Sequence, residues 1–552
     1  MKFVMGCGCE FDVHDEEIKP EDSLPSISID YENIDHECPQ TWELIGSGNT
    51  KGVFQLESSL GKGWSKKLEP WNIEELSALI SIIRPGTLRA ILDGKSLTQH
   101  YVDRKHDREP TEYLDPALEK VLDSTYGVLC YQEQAMRIAQ ELAGFNLQEA
   151  DVLRKAIGKK KADVMAKCEK TFMEGCKKTG VVSEEKAKEI FGWIRESQKY
   201  SFNKSHGYGY GEMGYWSAYA KAHFPLHFFT SWLHYSHEKQ KPQEEVRELI
   251  NEASLFEIDI FGPRLEDISR GDTSFSMSTD GVSFGIKDVK KIGKNHVIKF
   301  VKVVREYEEI LGPIQDWTWE QFLVLFSNNT TKTVVTNLIL VGAMDCYEYS
   351  RKEKLDQFKT WNSLTKREHK GCVELMEQDS SLNLTSLFGS YLLLDRKEGG
   401  PHTEKRAKII QDLLNSLISP MQSLEDTPAW INRNERELLG VSLTCSQLDA
   451  CQNLAGNTTC KEFISGKGGD IILGVEILST REYTIKAGQN RGKKMLFLSA
   501  QDNSACLDSV IAYTEVYNKN KNLLYEGNTV ILFGKKSTRD SSFIINKVKQ
   551  LT

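Results

Sequence analysis

Apolar positions recur at helical spacing in stretches between about residues 41 and 225 and as short continuous runs in the last 85. Glu74 to Ile83, reading EELSALISII, predicts an apolar helix stopped by Arg84-Pro85-Gly86, because proline removes an amide donor and glycine permits a turn. Residues 132–200 predict three or four helices, with Ala135, Ile138, Ala139 and Leu142 on one face. Asn146 with Glu149 forms a capping box, and Ser183 starts a helix over Glu184 to Ser197 with Lys186 at its third position. Residues 207–225 are rich in glycine and aromatics, then helical, ending at His223-Phe224-Pro225. The stretch 255–290 reads as strand-like or mixed. Residues 285–345 read as a small helical module. In it, Asp288–Lys294 and Leu338–Ala343 are apolar turns ending in glycine. Such turns either bring helix N-terminal amides to phosphates or are plain helix C-caps. Residues 346–430 are polar, charged and poorly patterned, and read as a helical, partly mobile connector. Near the end, Ile471–Leu478, Met495–Ser499, Thr529–Gly534 and Phe543–Val548 are strand-like. About five strands in this stretch suit a small oligonucleotide-binding (OB) barrel. Residues 1–40 mix acids, proline and serine without period, as an extended arm would.

Composition narrows the class. The 552 residues suffice for roughly three to five domains. A hydrophobic fraction of 39% and a charged fraction of 27% suit a soluble globular chain. No apolar run is long enough to span a membrane, and the N-terminus lacks a secretory pattern, so a cytoplasmic location without membrane partners is expected. The twelve cysteines are scattered and read as reduced, packed thiols. Cys7, Cys9, His14 and Cys38 form an irregular set that either ligates zinc or marks a tail with thiols.

The net charge of −9 excludes a globally basic nucleic-acid binder, so phosphate contacts must come from local patches. One such patch is dense: Arg154, Lys155, Lys159, Lys160 and Lys161 lie within eight residues. A polar loop supplies Asn203, Lys204, Ser205 and His206 beside Tyr208 and Tyr210. Cations with aromatics suit a polyanion bearing stackable rings, a nucleotide or nucleic acid. The bland alternatives are a solvated helix face for 154–161 and a core histidine for His206. Tyr131–Gln134 reads as shaping the surrounding fold rather than performing chemistry.

Several segments in one order resemble the C family of bacterial replicative DNA polymerases, the DNA polymerase III alpha subunits. They are Val53–Ser58, Arg84–Gly86, Tyr101–His106, Thr125–Gln134, Leu153–Lys161 and Phe202–His206, continued by Lys221–Pro225, Phe284-Gly-Ile and Glu437–Gly440. The likeness covers about 28 to 552, least in 346–430. It implies an α+β multidomain chain: a mainly helical fingers region, a helix-hairpin-helix module and a C-terminal OB-type β-barrel. The implied divisions are an N-terminal arm (1–40), a palm-proximal and fingers region (41–255), a clamp-binding region with helix-hairpin-helix units (256–345), a helical connector (346–467) and an OB domain (468–552).

The resemblance also implies roles. Arg154, Lys155, Lys159, Lys160 and Lys161 would meet dNTP phosphates, with Lys204 and His206 near them. Asn203, Ser205 and Tyr210 would touch nucleotide or primer-template DNA. Lys155 departs from the family's second arginine and loses the bidentate fork. Leu384–Phe388 is similar to a sliding-clamp-binding pentapeptide in which Leu387 and Phe388 would be anchors; an amphipathic helix explains them equally. The family's palm aspartates, which hold two Mg2+ ions, are expected on a separate polymerase chain. This chain would then carry no catalytic or metal-ligating residue, as in a split, phage-type version. Asp12 and Asp15 match neither the flanks nor the spacing of that palm. The alternative function is a non-catalytic DNA-binding or clamp-tethering protein of the same ancestry.

Overall fold

The structure is a computed structural model that describes residues 2–4, 10–12, 29–31, 33–159, 162–197, 199–270, 273–278, 281–420, 424–445, 448–449, 456–485, 488–502, 504–538 and 542–551. Described residues up to Phe228 form one compact unit, and those from Phe229 onward form a second. No described helix is long and apolar enough to cross a membrane. The fold is α+β and multidomain, mainly helical with a five-stranded barrel at its end.

In the first unit, Lys2–Val4 pairs antiparallel with Glu10–Asp12. The helices follow: α1 (Pro39–Ser47), α2 (Ser59–Leu68), α3 (Ile73–Ile82), the single turn α4 (Pro85–Arg89), α5 (Leu97–Lys105), the short α6 (Glu119–Leu122), α7 (Gln132–Ala143), α8 (Leu147–Lys159), α9 (Ala162–Thr179), α10 (Glu184–Ser197) and α11 (Lys204–His223). Asn72 caps α3 by accepting from the Glu75 N–H, and Arg84 precedes Pro85 at the first position of α4. Asn146 accepts from the Gln148 and Glu149 amides while Glu149 accepts from the Asn146 N–H, which fixes the start of α8. Ser183 likewise accepts from the Lys186 N–H ahead of α10.

Helices α7 to α10 share one core. Ala135, Ile138, Ala139 and Leu142 of α7 meet Leu153, Ala156 and Ile157 of α8, Phe172 of α9 and Phe191 of α10. A Cβ at Gly175 would sit 2.1 Å from the Ala143 carbonyl oxygen, so glycine there lets α9 cross α7 closely. A second close crossing joins α3 and α11. Cβ atoms at Gly207 and Gly211 would come within 2.6 and 2.4 Å of the Ser81 and Ser77 hydroxyls. Both serines turn their hydroxyls back to helix carbonyls, Ile73 and Ser77, which keeps the contact surface small and satisfied.

Lys204 to Tyr210 are therefore the first turns of a helix, not the loop that the sequence pattern predicts. Lys221, near the end of the same helix, is fully buried and donates to the Asn49 and Lys51 carbonyls at 3.0 and 2.8 Å. Cys38, considered above as a zinc ligand, is buried with its Sγ 3.2 Å from His223 Nε2. Cys7, Cys9, His14 and Asp15 lie outside the described residues.

In the second unit, Asp259–Phe261, Gly281–Ser283 and Ser276–Ser278 make a small mixed sheet. Lys291, at φ +67°, turns the chain ahead of the helix Lys294–Leu311. The other glycine turn, after helix Lys332–Leu340, faces protein rather than ligand. A Cβ at Gly342 would stand 2.1 Å from Arg351 Nη2, so the guanidinium fills that turn. Arg351 is 3% exposed and also meets Asp345 at 2.7 Å and Glu435 at 2.9 Å. Glu435 accepts further from the Leu443 and Thr444 amides.

The stretch read as a helical, partly mobile connector is helical, and its helices pack together. Arg351–Trp361, Lys366–Gln378, Leu384–Leu393 and Glu404–Ile418 are helices, and the first two open on capping boxes. Glu368 is buried against Arg406 at 2.6 Å. Leu387 and Phe388 are both 0% exposed in this core. The amphipathic-helix reading accounts for this burial; as clamp anchors they would have to leave the core.

The barrel closes through five strands. Cys506–Ala512 runs parallel to Phe543–Gln550, which pairs antiparallel with Thr529–Lys536. That strand pairs with the first half of Ile471–Thr484, whose second half pairs with Lys494–Gln501. Lys494–Gln501 closes on Cys506–Ala512. Leu473, Val475, Leu498, Val510, Val530, Leu532 and Ile545 fill the interior.

Candidate functional site

The site begins at a knot in the segment Thr125–Gln134. Tyr126 and Gly127 both take positive φ, 51° and 74°. A Cβ on Gly127 would meet the Glu112 carbonyl oxygen at 2.7 Å. Gln134 is buried and holds the turn from inside: its Oε1 accepts from the Cys130 and Tyr131 amides, and its Nε2 donates to Thr125 Oγ1 at 2.7 Å. Chain 130–132 then runs beside Phe202, with Phe202 N donating to the Cys130 carbonyl and Gln132 N to the Phe202 carbonyl, both at 2.9 Å. Two segments 70 residues apart thus share one rigid seam.

Asn203 follows that seam and caps α11, accepting from the His206 N–H at 2.9 Å. Glu133 grips the same turn with both oxygens. Oε1 accepts from Asn203 Nδ2 at 2.7 Å, and Oε2 accepts from the Lys204 N–H at 2.8 Å. Lys204 reaches Glu74 at 2.7 Å and lies 5.7 Å from the Tyr131 ring centre. From here a ladder of rings runs along α11: Phe202 to His206 at 5.4 Å, His206 to Tyr210 at 4.1 Å, and Tyr210 to Phe54 at 5.2 Å. His206 and Ser205 are exposed, while Asn203, Lys204 and Tyr210 are half-buried. Asn203, Lys204, His206 and Tyr210 therefore sit together, and Ser205 points to solvent beside them.

Arg154 and Lys155 stand apart from this cluster, on the solvent side of α8 opposite Leu153, Ala156 and Ile157. Both cations grip Asp151, at 2.8 and 2.7 Å. Lys155 and Arg154 hold the Asp151 carboxyl below its ordinary range. These pairs are solvated, so a multivalent phosphate competes with Asp151 at little cost. Lys159 ends α8, and Lys160 and Lys161 lie outside the described residues.

Three residues of the ringed cluster were not singled out from sequence as ligand contacts: Arg84, Phe202 and Phe54. All three lie in segments that carry the family resemblance, which was their only signal. Arg84 stacks its guanidinium 3.8 Å from the Phe202 ring centre.

Acids near these cations do not fit a two-magnesium centre. Asp151, Glu74 and Glu133 are each committed to a cation or an amide. Among the described residues, no group of three or more His, Cys, Asp or Glu side chains could hold a metal.

Residues 16–180 match the family model of the bacterial DNA polymerase III alpha subunit finger domain. The chain is 34% identical over 429 residues, 75% of its length, to the DNA polymerase III subunit alpha of Aquifex aeolicus (strain VF5). It is 28% identical over 531 residues, 95% of its length, to the subunit of that name from Bacillus subtilis (strain 168), and 34% identical over 58% of its length to that from Thermus aquaticus. It spans 34%, 43% and 25% of those three relatives respectively. The chain therefore carries the finger domain of a bacterial DNA polymerase III alpha subunit in residues 16–180 and is similar to those subunits over most of its length.

Proposed function

We propose that this chain is the fingers and DNA-binding portion of a replicative polymerase, which receives dNTP and primer-template for template-directed synthesis. The metal-holding palm carboxylates would lie on a separate chain. The observation that carries this reading is the seam at 130–134 and 202–204, which sets a helix start bearing Lys204 and His206 on a rigid base. Rigid placement matters because phosphoryl transfer is catalysed mainly by positioning and charge stabilisation. Arg154 and Lys155 supply a second cationic contact within the matched finger residues. Magnesium, when bound by the palm, supplies stabilisation of the attacking and leaving oxygens; this chain's residues hold the triphosphate and stack the base. The buried state of Leu387 and Phe388 favours this reading over a clamp tether.

Arg154→Ala with Lys155→Ala should weaken dNTP affinity about ten- to a hundredfold, because charge-assisted phosphate contacts are worth roughly 1.5–3 kcal/mol. Titration of the whole chain with a fluorescent dNTP checks this, and equal affinities would remove α8 from the site.

A further inference from the structure

Among the cations of the first unit's site, Arg84 differs from its neighbours. Arg154 and Lys155 hold Asp151, and Lys204 holds Glu74. Arg84 is half-buried, yet among the described residues its only polar partner is the Ile80 carbonyl, at 3.4 Å from Nε. No carboxylate among the described residues reaches it. Burial pushes the guanidinium's pKa below its ordinary value, while Tyr210 pulls it up. Burying a charge without a counterion is unfavourable unless a ligand supplies one.

The surroundings hold the group in place. Arg84 has extended backbone angles and is followed by Pro85 in the first turn of α4. Gly86 seats that turn against the chain at 199–200, where a Cβ would lie 2.8 Å from the Lys199 carbonyl oxygen. The guanidinium stacks on Phe202, which is itself pinned between Cys130 and Gln132. Among the described residues neither terminal nitrogen of Arg84 has a protein acceptor, and the Phe202 ring that it stacks on lies 5.4 Å from the exposed His206 imidazole.

We propose that Arg84 is a phosphate-binding residue of this site, closing one end of the ring ladder so that a nucleotide unit stacks on His206 and Tyr210 while its phosphate takes the guanidinium fork. This rests on the nucleotide-binding reading above. The phosphate comes either from a nucleoside triphosphate or from a DNA backbone, and the two are separated by the probe.

The test uses the full chain with two probes, a fluorescent dNTP and a labelled primer-template, each titrated at several salt concentrations. Arg84→Gln, which keeps a planar polar head without charge, should weaken one of them at least tenfold. Loss for the dNTP alone assigns the triphosphate. Loss for primer-template, with the salt slope reduced by about one, assigns the backbone. Arg84→Lys should recover only part of the affinity, because the charge returns without the fork and stack. Folding of each variant is checked by circular dichroism, and Arg84→Lys carries the test if Arg84→Gln misfolds. Unchanged affinity for both probes in a folded variant overturns the proposal. Failure of the unmodified chain to bind either probe instead overturns the nucleotide-binding reading beneath it.

Discussion

At the scale of single residues, buried charge explains more than apolar pattern does. Asp288 precedes the glycine turn at Gly293, and its Oδ2 accepts from the Gly285 N–H at 3.2 Å. Burial pushes its carboxyl up to about 6, against the pull of that amide and Lys287. An acid raised in the folded state binds its proton there while the unfolded chain has already lost it. Stability should therefore fall as pH rises from about 4, the ordinary aspartate range, to about 6, and stay level above. Asp288→Asn removes that term and should flatten the fall by roughly 2–3 kcal/mol. Urea midpoints of both proteins at pH 4.5 and pH 7 check this, and parallel profiles would place the titration elsewhere. Gln134 spends three hydrogen bonds on its own turn, which is the work of a positioning residue. Its segment carries the family resemblance because it builds the seam.

At the scale of elements, the sequence was readable where a core is apolar. Ala135, Ile138, Ala139 and Leu142 predicted α7, and all four are buried. The apolar runs near 471, 495, 529 and 543 predicted barrel strands, and each lies in one. It was unreadable where long-range contacts decide. Gly207, Gly209 and Gly211 argue against a helix by propensity, but packing of glycine on Ser77 and Ser81 holds α11 in place. The region after 350 looked unpatterned because Arg351, Glu435, Glu368 and Arg406 build part of its interior as ion pairs. Hydrophobic periodicity does not register such a core.

The Leu384–Leu393 helix gives a sharp test. Leu387→Ala or Phe388→Ala should cost about 2–5 kcal/mol through loss of burial and a residual cavity. Denaturant midpoints measure it. A neutral effect would mean that these side chains are free to leave the core, which would restore them as docking anchors.

At the scale of the whole molecule, the two clusters carry complementary features of a phosphate-handling surface. On α8, two solvated cations wait on a weakly held carboxylate. At the start of α11, cations and rings are fixed by Glu133, Gln134 and Phe202. The acids nearby neutralise or orient cations and are not arranged to hold metals. On the proposed reading, such a surface receives a nucleotide and depends on a separate palm to transfer it.

Primer extension tests that claim most directly. The chain is mixed with primer-template, magnesium and dNTPs, with and without a polypeptide carrying the family's palm aspartates. The account predicts no extension by the chain alone and extension when the palm is supplied, with incorporation reduced by Arg154→Ala and Lys155→Ala. Robust extension by the chain alone would contradict it.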